Sequence, residues 1–113
     1  MRIPNGSQAY VSIEKLLSYL LSEAHAVGKS KARFFRGFGF NETNVKLLEQ
    51  GFLKIAQTEP VDAVVTSSHG VKYVIDGLLQ TPKGDPVQVR TVWIIETGQE
   101  DPRFVTAYPV EKN

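Results

Sequence analysis

Ile13, Leu16, Leu17, Leu20 and Leu21 repeat at three- and four-residue spacing with Glu14, Lys15 and Ser18 between them, the pattern of an amphipathic helix packed on a core. Ser12 stands where an N-cap belongs. A second helix is expected from Ser30, whose hydroxyl would cap it, to Gly37 or Gly39, since glycine ends helices at little steric cost. Asn41 to Asn44 supply the next cap, and Val45, Leu48, Phe52 and Ile55 mark a third helix running to about Gln57.

After Pro60 the period changes from that of helices to that of strands. Val61 to Ser67 is rich in β-branched residues, Ser68-His69-Gly70 reads as a turn, and Val71 to Leu79 forms the next run. Thr81 to Asp85 turns the chain again, and Val87, Val89, Thr91, Trp93 and Ile95 then share one face of a strand ending at Glu96. A last run spans Arg103 to Val110. The sum is an α+β fold in which two to three N-terminal helices pack on a four-stranded antiparallel meander sheet. The reading is one domain over 1–113, with an N-terminal arm at 1–11, a helical part at 12–57 and the sheet at 61–110.

With 113 residues, such a domain can bury one real core. The absence of cysteine removes disulfides, zinc ribbons and thiol chemistry, so the fold must rest on packing. Apolar runs such as Val92 to Ile95 fall far short of a membrane span, and the Met1-Arg2-Ile3-Pro4 start lacks a signal peptide's apolar stretch. A cytoplasmic domain, or one delivered as part of a larger effector, is therefore expected, with no membrane partner. Charge changes the picture only locally: 13 basic against 12 acidic residues leave a formal net charge of +1. Between Ala24 and Phe40 there is no acid at all, although His25, Lys29, Lys31, Arg33 and Arg36 all lie there. Such a cluster suits an anion.

On a helix, Lys31, Phe34, Phe35 and Phe38 share one side. Lys31 thus stands on an aromatic stripe, where an ammonium is costly to bury unless something polar or anionic meets it. It either seats an anion, or snorkels along its own methylenes, or pairs with Glu14 or Glu49. Arg33 and Arg36 fall on the other side and continue a basic ridge from Lys29. Gly28-Lys29-Ser30 can offer backbone N–H groups to a phosphate, although the full G-x-x-x-x-G-K-[ST] pattern of a nucleotide-binding loop is missing. His25 titrates near neutrality when unperturbed, which suits a general acid or base.

On the sheet, Thr91 and Trp93 share one face of the third strand, and Thr106 and Tyr108 share one face of the fourth. Paired side by side they would form a polar and aromatic strip able to hold a phosphate or stack a base, flanked by Arg90 and Arg103. No spacing of histidines or acids suggests a metal site, so neither metal nor cofactor is expected. A serine hydrolase would need a G-x-S-x-G elbow, which the chain lacks.

The pattern Leu16-Leu17-Ser18-Tyr19-Leu20-Leu21, His25-x-x-Gly28-x-Ser30-Lys31-Ala32-x-Phe34-Phe35 with Gly39-Phe40, then Thr91-Val92-Trp93-Ile94 and Val105 to Pro109, resembles a small bacterial family of unknown function. That family occurs as stand-alone proteins and at the C-termini of phage- or toxin-like polypeptides. More distantly, helices followed by a four-stranded antiparallel sheet are similar to the barnase/EndoU/colicin/RelE class of ribonuclease toxins, which cleave RNA without metal. The resemblance implies His25 as base or acid, Lys31 and Lys29 as phosphate stabilisers, and Thr106 with Tyr108 as strand-borne partners. The second proton carrier is missing from this set. The expected function is thus a metal-independent ribonuclease-like toxin effector, with catalytic residues His25, Lys31, Thr106 and Tyr108. Substrate would be held by Lys29, Ser30, Arg33, Arg36, Arg90, Thr91 and Trp93. Its expected partners are RNA and a cognate immunity or antitoxin protein. The alternative is a non-catalytic binding or assembly module that uses the basic helix face.

Overall fold

A computed structural model describes residues 1–24 and 29–110. In chain order it contains a 3-10 turn (Gly6–Gln8), α1 (Ile13–Lys15) running directly into a π-helical turn (Leu16–Leu20), α2 (Lys29–Gly37) and α3 (Val45–Thr58). The strands β1 (Ala63–Ser67), β2 (Gly70–Leu79), β3 (Val87–Glu96) and β4 (Arg103–Pro109) follow. The strands pair antiparallel in the order β1-β2-β3-β4, a meander with the helices ahead of it in sequence. The expected α+β architecture is the observed one.

Ser12 caps α1 by accepting the Lys15 N–H at 3.2 Å. The helix then widens, because the Leu21 N–H donates to the Leu16 carbonyl five residues back at 2.8 Å. Leu16, Leu20 and Leu21 are fully buried by this arrangement, whereas Leu17, expected in the apolar stripe, is left exposed. α2 starts at Lys29, so Ser30 lies inside its first turn rather than before it. Its end is a Schellman motif: the Phe40 N–H bonds the Phe35 carbonyl (3.1 Å) and the Gly39 N–H bonds the Arg36 carbonyl (3.0 Å). Gly39, at φ 101°, supplies the left-handed residue that this closure needs. Asn44 precedes α3, but its side chain ties the loop instead of capping the helix, accepting from the Asn41 N–H and donating to the Gly39 carbonyl.

The first eleven residues are not an arm. Ile3, Ala9 and Val11 are buried in the core. Tyr10 forms a parallel bridge to Arg103, with its N–H donating to the Pro102 carbonyl (3.0 Å) and its carbonyl accepting from the Phe104 N–H (3.0 Å). Ile3, Ala9 and Val11 are too sparse in the sequence to show a period, which is why the pattern alone gives an arm here.

One irregularity decides which side chains of β4 meet the core. Phe104 pairs with Trp93 and Thr106 with Val92, so Val105 is an extra residue, a β-bulge. The bulge lets Phe104 and Ala107, three apart, both reach full burial, while Thr106 and Tyr108 stay half-buried outside the core. Inside, Phe35 meets Phe52 edge-on (5.9 Å), Phe52 stacks on Phe104 (4.8 Å, 14°), and Phe104 meets Trp93 edge-on (5.4 Å). That column joins α2, α3, β4 and β3.

Trp93 is fully buried, and its indole N–H donates to Thr91 Oγ1 at 2.8 Å, while the Thr91 hydroxyl donates to the Ile75 carbonyl at 2.7 Å. Replacing Thr91 by valine strands the indole donor in a dry core. Urea unfolding is expected to show a loss of about 1–3 kcal/mol for Thr91→Val. For Phe52→Ala, which empties the middle of the aromatic column, the expected loss is about 3–5 kcal/mol.

Candidate active site

Lys31 stands one turn before Phe35, so burial of that ring turns the lysine toward the same side of α2. The side chain reaches the edge of the sheet, because β4 is one of its two edge strands and α2 packs against it. There the ammonium donates to the phenol oxygen of Tyr19 at 2.6 Å and to Thr106 Oγ1 at 3.2 Å. The two hydroxyl oxygens are themselves 3.3 Å apart, which closes a triangle. The ammonium also lies 5.2 Å from the Tyr19 ring centre and 5.8 Å from that of Tyr108, within cation–π range. Among the described residues it meets no carboxylate.

This is neither of the ordinary fates expected for Lys31. As neutral hydroxyls the two partners accept from the ammonium without cancelling its charge, so while Tyr19 is a phenol the positive charge remains for a further anion. A second lysine reinforces it. Lys15 lies 5.7 Å from the Tyr19 ring centre. Its pKa is lowered first by desolvation, then by the nearby charges of Arg103 and Lys31, with Tyr19 acting the other way. Arg103 has a carboxylate of its own in Glu96, at 3.0 Å. For the Tyr19 phenol, burial pushes the pKa up, but the hydrogen bonds from Lys31 and Thr106 and the charges of Lys31 and Lys15 outweigh it. The result is a phenol shifted below its ordinary value. Beside it, Ser12, Glu14, Lys15, Ser18 and Tyr19 line a shallow open depression of about 410 Å³.

Lys31, Thr106 and Tyr108, named from sequence as catalytic candidates, are thus brought together. His25, the fourth, lies outside the described residues, as does Gly28 of the Gly28-Lys29-Ser30 loop. Lys29, Ser30 and Arg33 are exposed on α2. The structure corrects the other assignments. Arg36 is not part of an open basic ridge: its guanidinium holds Glu42 through two bonds (3.1 and 2.5 Å), Glu23 at 3.2 Å and the Leu21 carbonyl at 2.9 Å. Arg90 is locked to Asp76, its cross-strand neighbour, by two bonds of 2.7 and 2.8 Å. Thr91 and Trp93 are core residues with no exposed surface, so they bind no ligand and form no strip with Thr106 and Tyr108. The register puts Arg90 and Val92, not Thr91 and Trp93, opposite Tyr108 and Thr106.

Two residues of the site were missed from sequence, Tyr19 and Lys15. They stand at i and i+4 spacing on α1 and the π turn, on either side of buried Leu16. That spacing was the available signal. It went unread because the polar side of an amphipathic helix normally faces water, whereas here Tyr19 meets the edge of β4.

The fold and this seam define a small α+β domain with a cationic centre held by hydroxyls. The chain belongs to the family described as Domain of unknown function (DUF6883), whose family model matches residues 2–111. No curated protein matches the sequence. Among solved structures it is similar to a chain of a contact-dependent growth inhibition toxin–immunity protein complex from Klebsiella pneumoniae 342, with a TM-score of 0.72 and 13% identity over 96% of this chain and 98% of that one. At that identity the likeness is one of fold.

The Arg36 cluster has a pH signature. Hydrogen bonding from Arg36 holds the Glu42 carboxyl at about 2, below its ordinary 4.5. A depressed folded pKa adds stability above the unfolded value and loses it as pH falls through the folded one. Acid therefore removes this contribution between about 4.5 and about 2. The pair is exposed, which keeps the effect small. Glu42→Gln is expected to be less stable than wild type near neutrality and to lose less on acidification across that window, as read by thermal melts along a pH series.

Proposed function

We propose that this domain is a metal-independent ribonuclease that serves as the toxic part of a toxin–immunity pair. The observation that carries the reading is Lys31, an ammonium set between two side-chain oxygens at 2.6 and 3.2 Å and met by no carboxylate among the described residues. A phosphodiester gains negative charge on its non-bridging oxygens as a nucleophile adds to phosphorus. A fixed cation and fixed O–H donors at that spot stabilise this charge more than they stabilise the starting ester. Lys31 fits the cationic role and Thr106 the donor role. Tyr108 offers an aromatic face on which a base can stack, and Lys29, Ser30 and Arg33 present a polar, basic approach along α2.

The fold likeness to a chain of a toxin–immunity complex supports a place in a toxin–immunity system and a protein partner. The alternative, a module that binds through a basic helix face, is weakened by Arg36. Two glutamates already hold its guanidinium, which leaves Lys29 and Arg33 as the exposed cations of that face. His25 stays in the proposal as a residue of the segment leading to Lys31, while the chemistry is argued from Lys31 and its partners.

Purified protein incubated with total RNA in EDTA is expected to cleave it. Lys31→Met is expected to lose about 100-fold or more in rate, the scale of removing one fixed charge-stabilising group. Cleavage by Lys31→Met at the wild-type rate, or none by wild type, contradicts the reading.

A further inference from the structure

The ribonuclease reading leaves one requirement open, since cleavage needs a group to take the ribose 2′ proton and another to give a proton to the departing 5′ oxygen. The sequence offered His25 for one of these roles and no residue for the other. The geometry at the seam offers a different solution. Tyr19 and Lys31 are an acid and a base in direct hydrogen-bond contact, at 2.6 Å, the shortest contact that Lys31 makes among the described residues. A proton can cross that contact in one step.

We propose that Tyr19 is a catalytic residue and that it works with Lys31 as a single proton-exchanging pair, Tyr19 taking the 2′ proton and Lys31 delivering one to the leaving oxygen. The proposal rests on the ribonuclease reading of the site. In the reactive state the pair is phenolate and ammonium. The phenolate oxygen takes the 2′-hydroxyl proton, and the electron pair left on the 2′ oxygen forms a bond to phosphorus. The bond from phosphorus to the 5′ oxygen breaks with its electrons going to that oxygen, which takes a proton from the Lys31 ammonium. The products are a 2′,3′-cyclic phosphate and a free 5′-hydroxyl. Tyr19 is then a phenol and Lys31 a neutral amine. Transfer of the proton from the phenol to the amine across their hydrogen bond restores the starting pair, so turnover needs no outside acid or base.

Three observations favour the phenolate form. Thr106 Oγ1 sits 3.3 Å from the Tyr19 oxygen and can donate to it. Lys31 from α2 and Lys15 from α1 both lie close to the ring, at 5.2 and 5.7 Å from its centre. The neighbouring β4 side adds Arg103, whose charge is shared with Glu96, and Tyr108, while Glu14 lines the depression next to Tyr19. Among the described residues, cations thus outnumber carboxylates around the phenol. The π-helical turn contributes by carrying Tyr19 between fully buried Leu16 and Leu20, which anchors the ring. Such turns recur at functional sites, where the extra residue re-aims a side chain.

The experiment has two arms, both on the full chain. In the first, the ultraviolet absorbance of ionised tyrosine is followed against pH without RNA. The chain has four tyrosines. One is expected to ionise below the rest, to vanish from the curve in Tyr19→Phe and to move to higher pH in Lys31→Met. In the second, RNA cleavage by wild type, Tyr19→Phe and Lys31→Met is compared. Tyr19→Phe, which keeps the ring and removes only the hydroxyl, is expected to lose about 100-fold or more. Wild-type cleavage by Tyr19→Phe beside an inactive Lys31→Met overturns the pair and leaves the ribonuclease reading standing. A titration curve unchanged by Tyr19→Phe in its early part also overturns it. No cleavage by wild type, with the early tyrosine present, rejects the ribonuclease reading and the catalytic pair with it.

Discussion

The structure depends on a column of stacked rings. Phe35, Phe52, Phe104 and Trp93 come from α2, α3, β4 and β3, and each touches the next at 4.8 to 5.9 Å between ring centres. Large rings of this kind bury the most apolar surface per residue and add a geometric preference of about 0.5–1.5 kcal/mol for each pair. Without cysteine to cross-link the layers, this packing sets how the helices sit on the sheet. α2 is held at its C-terminal end: Phe35 enters the column, and the Schellman closure folds Phe40 back onto Phe35 at 6.4 Å.

The place of Lys31 follows from that constraint. Four residues ahead of Phe35, it has no way to face water without turning the helix and pulling the ring from the column. The β4 bulge supplies the other half. By inserting Val105 it lets Phe104 join the core while Thr106 is aimed at the edge, where the ammonium arrives. The π turn supplies the third part, bringing Tyr19 to the same spot. Three local features, each with its own packing reason, thus converge on one oxygen-lined cation. Stability and site are coupled here through Phe35 and Phe104, so damage to the column should disturb the seam.

Much of this architecture was legible in the sequence. The spacing of Ile13, Leu16 and Leu20, of Val45, Leu48 and Phe52, and the alternation along Val87 to Glu96 gave elements close to those observed, since apolar period is a local property. Lys31 and Thr106 are joined only through the family resemblance, since the residues by themselves offer Glu14 or Glu49 as partners of the inward cation. What failed was non-local. The alternation that put Thr91 with Trp93 was right, but which face lay inward and how a bulge shifted β4 could not be read from either strand alone. Arg36 and Arg90 looked like open cations because Glu42 and Asp76, which hold them, are identified only by the fold. Tyr19 was hidden for the same reason, its role set by a strand 87 residues away.

The central claim is that Lys31, held by hydroxyls, seats an anion at the junction of α2 and β4. It is tested most directly by following backbone amide resonances while an uncleavable 2′-deoxy oligonucleotide is added. The account expects saturable shifts gathered at Lys15 to Tyr19, Lys31 and Thr106 to Tyr108, weakening with salt and lost in Lys31→Met. Shifts confined to Lys29 and Arg33 on the outer face of α2, or unchanged by Lys31→Met, would contradict it.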